Sequence, residues 1–414
     1  MYFVSNLGEA AVAGVGAAGN LGFLVSALAQ VLSVGTVALV SHAAGRKDRA
    51  GATLVFNQAL GLAMLCGVLT WIIGAVTARS YMRSVAADAA TVRAGTTYLL
   101  YLLPALALQF ASLVMGSALR GIGVVRPTTI AQAVTFVANV ILAPILISGE
   151  GGGSGLGVAG AGLATSIAVL LAVALQTFCI CRIERYVRIE PSHWWPTGTQ
   201  WKRILSVGLP AGGEFAVMFA YMAIIYYALR GFGAEAQAGF GIGSRVLGLL
   251  QVPGMSIAFA AGAIAGQSFG AGNTERVRKT FAHVAALGSV AMVALTLLAQ
   301  WVPEAMLRGF TSEQGTLAVG VLFLRMISLN LVAQGLIFTC SSMFQGLGNT
   351  RPVLFTSAVR LVTYGLPILA WSQAPGFRME YIWYLSIAAT TLQATLSVWL
   401  LRKELKRRPL PWVL

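Results

Sequence analysis

Long apolar runs separated by short polar breaks dominate the chain, near 10–41, 52–78, 94–118, 127–148, 157–181, 204–230, 236–268, 281–302, 315–343, 352–372 and 381–401. A helix needs about 20 apolar residues to cross a hydrocarbon core of about 30 Å. Each run is of that order, and each is apolar all round rather than striped, which excludes the amphipathic helices of a soluble protein. The alternating segments of about ten residues that mark a membrane β-barrel are absent. The pattern predicts an all-α polytopic membrane protein with eleven full spans.

Charge fixes the orientation. Only 10% of the 414 residues are charged, and the formal net charge is +15. With the C-terminus placed in the cytoplasm, the breaks on that side carry 19 Lys and Arg and the opposite breaks carry 6, while Arg245, Arg325 and Arg360 lie inside spans. That bias follows the positive-inside rule and predicts a multi-pass membrane protein with a cytoplasmic C-terminus. The basic balance therefore points to topology, and nucleic acid is excluded as a partner. Cys66 and Cys340 fall inside spans and Cys179 and Cys181 at the end of one, without metal-ligand spacing. His42, His193 and His283 are isolated from one another. No metal or cofactor is expected, and no cleavable signal pattern opens the chain. With one deep acid and no deep His cluster, an intramembrane enzyme is excluded. A passive channel lacks its charged ring or filter loop.

The chain also repeats itself. "GEAAVAGVG" (8–16) matches "GAEAQAGFG" (233–241), and "RGIGVVRP" (120–127) matches "QGLGNTRP" (345–352), both at an offset of 225. "GTVALVSHAAGRKDR" (35–49) matches "GAIAGQSFGAGNTER" (262–276) at 227. Gln109 and Gln334, polar within their spans, are again 225 apart. Two homologous, parallel halves follow, an arrangement typical of secondary transporters. The division expected is an N-terminal lobe 1–181, a cytoplasmic linker 182–203 rich in Trp and basic residues, and a C-terminal lobe 204–414. In the second half a full span precedes the Gly233 block, whereas only seven residues precede Gly8. A parent architecture of twelve helices is expected, with most of the first helix missing from this chain.

Among 13 acids, Glu214 alone sits well inside an apolar run, in "GLPAGGEFAVMFAYM" (208–222). Such a residue is costly in hydrocarbon and marks a functional site by default. Pro210 lies four residues before it and removes one helical amide bond, and Gly212 and Gly213 leave room beside it. Helical spacing brings Met218, Tyr221 and Met222 to the Glu214 face, where polarisable and aromatic surface suits lipophilic cations. Asn330, Gln334, Phe338, Ser341 and Gln345 form a second stripe expected to face the same cavity. The competing reading for its amides is hydrogen bonding between helices. Gln109 is assigned to the same cavity. Arg245 and Arg360 are the possible charge partners of Glu214, and an ion pair with either is the rival to a proton-carrying role.

Taken together, "NLGEAAVAGVG", "SVGTVALVSHAAGRKD", "ALRGIGVVRPTT", "ANVILAPILI", "GVAGAGLATSIA", "GLPAGGEFAVMF" and "MFQGLGNTRP" resemble the multidrug and toxic compound extrusion (MATE) family, from Gly8 onward. The resemblance implies two six-helix lobes around a central cavity. It also implies antiport of organic cations, drugs or metabolites against H⁺ or Na⁺ by alternating access. A monomer working on small molecules within the bilayer is expected; the alternative is a flippase for a lipid-linked sugar. Where relatives carry N-x-x-L-D-P, this chain has "NVILAP": Asn139 is kept as a cavity candidate and Ala143 replaces the Asp. Glu214 matches a seventh-helix acid of other family branches and is the expected ion-coupling residue.

Overall fold

The computed structural model describes residues 4, 7–86, 88–149, 155–184, 186–311, 313–372 and 374–407. Glu150, Arg185, most of the segment 1–7 expected to end a first helix, and the basic tail beyond Arg407 lie outside the described residues. The helices are α1 (Glu9–Gly45), α2 (Arg49–Val85), α3 (Ala89–Gly121), α4 (Arg126–Ser148), α5 (Val158–Phe178), α6 (Gly198–Leu229), α7 (Ala234–Gly270), α8 (Thr274–Trp301), α9 (Pro303–Arg308), α10 (Gln314–Ile327), α11 (Asn330–Gly346), α12 (Arg351–Trp371) and α13 (Met379–Arg407). Ten of them are long and apolar enough to cross a membrane, and α10 with α11 makes an eleventh if that bent pair is one span. Helices alone suit this composition, because hydrocarbon offers backbone N–H and C=O groups no partner outside the helix itself. Apolar side chains on the outside, among them Val76, Phe136, Val290 and Trp301, are exposed as lipid contact requires.

The chain divides into two compact units, Met1–Gly208 and Leu209–Leu414. In the first, α3 runs against α1, α2 and α5. The core gathers Phe56, Leu103, Phe110 and Met115, and Ile204 from the start of α6 packs into it. Between α5 and α6 the chain forms a π turn at Cys179–Ile183 and a 3₁₀ turn at Pro191–Trp194. Two fully buried amides on α2 hold this connection. Asn57 donates to the Arg188 carbonyl (2.7 Å) and accepts from the Glu190 amide (2.8 Å) and the Trp194 indole (3.1 Å). Gln58 donates to the carbonyls of His193 (2.5 Å) and Trp195 (2.7 Å) and accepts from the Thr197 amide (3.0 Å).

In the second unit the core is aromatic. Phe240 of α7, Phe323 of α10 and Trp383 of α13 lie with ring centroids 5.0 to 5.9 Å apart, mostly edge to face, the arrangement that ring quadrupoles favour. The run expected as one span over 315–343 is broken into α10 and α11, which meet at 57°. The break frees backbone carbonyls at membrane depth, and α8 satisfies them. Thr296 donates to the Ser328 carbonyl (3.0 Å), and Gln300 donates to the Arg325 carbonyl (2.5 Å) and the Ser328 hydroxyl (2.9 Å). The hydropathy of the run hides the break because the residues flanking it are as apolar as those of an unbroken helix.

Candidate functional site

Several acids have a simple account: Glu9, Glu235, Glu275, Glu304 and Glu380 lie in first turns, where the helix dipole favours negative charge. Glu214 is different. It stands in the middle of α6, one turn after Pro210, half-buried. The glycine before it keeps α6 close to α12: a Cβ on Gly213 would sit 3.2 Å from the Leu354 side chain.

α12 presents Ser357 to the carboxylate. The Ser357 hydroxyl donates to Glu214 Oε1 at 3.4 Å and accepts from Gln393 Nε2 of α13 at 3.1 Å. Both supporting residues are buried, so a directional chain runs Gln393 to Ser357 to Glu214. One turn along α12, the Arg360 guanidinium lies over the Tyr221 ring, 4.6 Å from its centroid. Arg360 acts on Glu214 electrostatically, but the ion pairs among the described residues are His193–Glu190, Lys279–Glu275 and Arg308–Glu304. The guanidinium Nε is buried without a hydrogen-bond partner among the described residues. Tyr221 itself is buried, bonded through its hydroxyl to Ser386 of α13 at 2.8 Å and packed on the Tyr364 ring at 4.6 Å.

Met218 and Met222 are exposed on α6, while Tyr221, expected beside them on a cavity face, belongs to the core of the second unit. Asn330 begins α11 at the break, buried, with its Oδ1 lacking a hydrogen-bond partner, and Gln334 one turn later is half-buried. In the first unit, Gln109 of α3 donates to Ser26 of α1 (2.9 Å), and Asn139 of α4 donates to Thr165 of α5 (3.0 Å). Arg245 is exposed on α7 and is not among the groups that act on Glu214. Of the two candidate charge partners, the structure brings Arg360 to the acid.

The sequence reading passed over Ser357, Gln393, Tyr364 and Ser386. The signal was available on α13, where Ser386, Thr390, Gln393 and Ser397 are polar positions at helical spacing in an apolar span, and all four are buried.

A family model described as MatE matches residues 1–145 and 210–371, most of the chain. The chain belongs to the MatE family. It is a membrane transporter and not an enzyme. Among relatives of this MatE chain, "Probable multidrug resistance protein NorM" of Thermotoga maritima is 25% identical over 407 residues, which cover 96% of this chain and 85% of that protein. The "FAD transporter" of Shewanella oneidensis is 20% identical over 278 residues, covering 67% of this chain and 62% of that protein. A solved MATE structure in the bent conformation superposes with a TM-score of 0.91 at 24% identity, over 98% of this chain and 90% of that one. A MOP superfamily transporter from Pyrococcus furiosus gives a TM-score of 0.90 at 24% identity, again over 98% and 90%. These likenesses establish the fold.

Proposed function

We propose that this MatE-family protein exports organic cations, drugs or other amphipathic metabolites from the bacterial cytoplasm by alternating access, in exchange for H⁺ or Na⁺. Glu214 is the coupling carboxylate. The observation that carries this reading is a mid-helix acid held by the Gln393–Ser357 chain and, among the described residues, without an ion pair, although Arg360 acts on it electrostatically. An acid locked to a guanidinium would be a scaffold element. One that accepts a single hydroxyl bond keeps lone pairs free for a proton, a sodium ion or a cationic substrate.

Charge arithmetic supports exchange in turn. With Glu214 ionised, the acid and Arg360 sum to zero; once a proton or cation has loaded, the local charge is +1, and a second cation is repelled in a medium of low dielectric constant. Proton and substrate thus compete for one carboxylate. Each biases the same two-state rearrangement, which is sufficient for antiport. Exposed Met218 and Met222, one and two turns beyond Glu214, supply polarisable contact for a lipophilic substrate, with Asn330, Gln334, Gln109 and Asn139 as further candidates. The multidrug names of the relatives favour this substrate class, and the Lys and Arg bias favours a cytoplasmic C-terminus in the inner membrane. Both repeats lie in one chain, so a monomer suffices.

The test is uptake of a fluorescent organic cation by inside-out proteoliposomes under an imposed proton or sodium gradient. Glu214→Gln is expected to lose at least about ten-fold of the gradient-driven rate while purifying like wild type, and Glu214→Asp to recover part of it. Wild-type transport by Glu214→Gln would overturn the reading.

A further inference from the structure

In the second unit, the first turns of α8 lie beside the last turns of α13. There the two helices and α11 enclose a groove of about 650 Å³. Its floor is apolar: Phe281 and Ala285 of α8, Leu336 of α11 and Val398 of α13. Its mouth is basic. Arg278 stands on the first turns of α8, and Arg402 and Lys406 stand one turn apart near the end of α13, all three exposed. Arg278, Phe281, Ala282 and Ala285 recur at helical spacing on one face of α8, and Val398, Arg402 and Lys406 do the same on α13. Floor and mouth are therefore continuous along both walls.

Two observations show what this mouth is prepared to meet. Arg278 spans the helices by donating Nη2 to the Leu405 carbonyl at 3.0 Å, which fixes the guanidinium over the groove. The nearby acid Glu275 is paired with Lys279, and Glu404 accepts from Asn349, while no ion pair among the described residues involves Arg278, Arg402 or Lys406. Beside the groove on α13, Lys403 lies over the exposed Trp399 ring at 4.8 Å. A Trp and a Lys at that height are the pair expected where hydrocarbon gives way to headgroups.

From this geometry we infer a binding site for one anionic glycerophospholipid, with an acyl chain on the Phe281–Val398 floor and the phosphate among Arg278, Arg402 and Lys406. A neutral lipid would leave three cations at the mouth uncompensated, and a soluble anion would leave the apolar floor bare. Basic pockets between membrane helices on the cytoplasmic side have this chemistry in general. The occupant would bridge α8 to α13, and so brace the helix that supplies Gln393 and Ser386 to the candidate site.

The test uses native mass spectrometry of the purified full chain with dioleoyl phosphatidylglycerol or dioleoyl phosphatidylcholine added in matched amounts. Wild type is expected to retain phosphatidylglycerol about ten-fold better. Arg278→Gln/Arg402→Gln/Lys406→Gln should lose that preference, and so should Ala285→Trp, which fills the floor without changing charge. Arg46→Gln/Lys47→Gln/Arg126→Gln, three exposed cations of the first unit, should keep it. Equal loss in this control would mean bulk attraction, and retention by Ala285→Trp would mean that no chain lies in the groove. Displacement of the lipid by inorganic phosphate alone would mean a soluble-anion site. A preference that emerges only after residues 408–414 are deleted would make the chain's own tail the occupant. Each of these four results overturns the inference.

Discussion

Gly239 of α7 lies flat against the backbone of Thr316 on α10, so close that a Cβ there would stand 2.8 Å from the Thr316 carbonyl oxygen. The first unit repeats the relationship at the offset of the sequence repeat: a Cβ on Gly14 of α1 would stand 3.1 Å from the Thr91 carbonyl of α3. Gly95 and Gly320, again 225 apart, approach the carbonyls of Gly14 (3.1 Å) and Gly239 (3.5 Å) in turn. Small residues let membrane helices approach to backbone contact, where dispersion replaces the hydrophobic force that lipid does not supply. Gly239→Val is therefore expected to destabilise the fold by about 1–3 kcal/mol or more, the usual cost of overpacking. Gly248→Val on the same helix meets open space and should be close to neutral apart from propensity. Thermal unfolding of both variants in one detergent checks the contrast.

A second expectation concerns the support of Glu214. If Ser357 and Gln393 only fill space, Ser357→Ala and Gln393→Leu should leave transport unchanged. As positioning residues they act through the carboxylate, so both variants should lower the gradient-driven rate by several-fold. They should also displace its pH profile, while the profile of Glu214→Gln stays flat. Gln393→Glu tests the direction of the chain: a carboxylate there would repel Glu214 through Ser357. Transport assayed across a pH series in proteoliposomes separates these outcomes.

Much of this was legible in the sequence for a definite reason. Hydropathy sees a span because the bilayer demands it, and the apolar runs coincide with helices to within a few residues at most ends. The repeat shows through because its glycines and caps are steric requirements. Asp48 caps α2 by accepting from the Gly51 amide (2.8 Å), and Asn273 caps α8 by accepting from the Arg276 amide (2.8 Å), both pairs 225 apart. Glu214 stood out because mid-span acids are rare. The bend at Ser328 did not show, since Thr296 and Gln300 that stabilise it lie on another helix. Nor could spacing on α6 separate exposed Met218 and Met222 from buried Tyr221, because burial there is decided by Ser386 and Tyr364. Choosing Arg360 over Arg245 likewise needed the third dimension.

The linker clamp makes a third prediction. Asn57→Ala would leave the Glu190 amide and the Trp194 indole without their acceptor, and Gln58→Ala would do the same to the Thr197 amide. Each unsatisfied buried group costs about 1–3 kcal/mol. The loss falls on a local segment rather than on the bundle, so the expected sign is faster proteolysis within 184–197 at nearly constant global melting temperature. Limited trypsin digestion, cutting at Arg188, reads it directly. Equal protection of Asn57→Ala and wild type would show that the apolar contacts of Trp194 hold the segment unaided.

Asp88 carries the pH prediction. It precedes α3 and its carboxylate accepts from the Thr91 amide (2.8 Å) and the Thr91 hydroxyl (2.7 Å), bonds that hold its pKa below the ordinary aspartate value. The folded-state pKa is thus lower than the unfolded one, near 3.9 in model peptides. Stability from this cap is fully present above that value and is lost as pH falls through the folded-state pKa, because the unfolded chain then binds the proton more readily. Wild type should melt above Asp88→Ala at pH 7, and the gap should narrow only below about pH 4. Asp88→Asn keeps a side-chain acceptor for the Thr91 amide and should show a smaller gap without that pH dependence. Melting curves of the three proteins at pH 7, 5 and 3.5 decide the matter; a gap constant across that range would mean that the charge on Asp88 contributes nothing to the α3 cap.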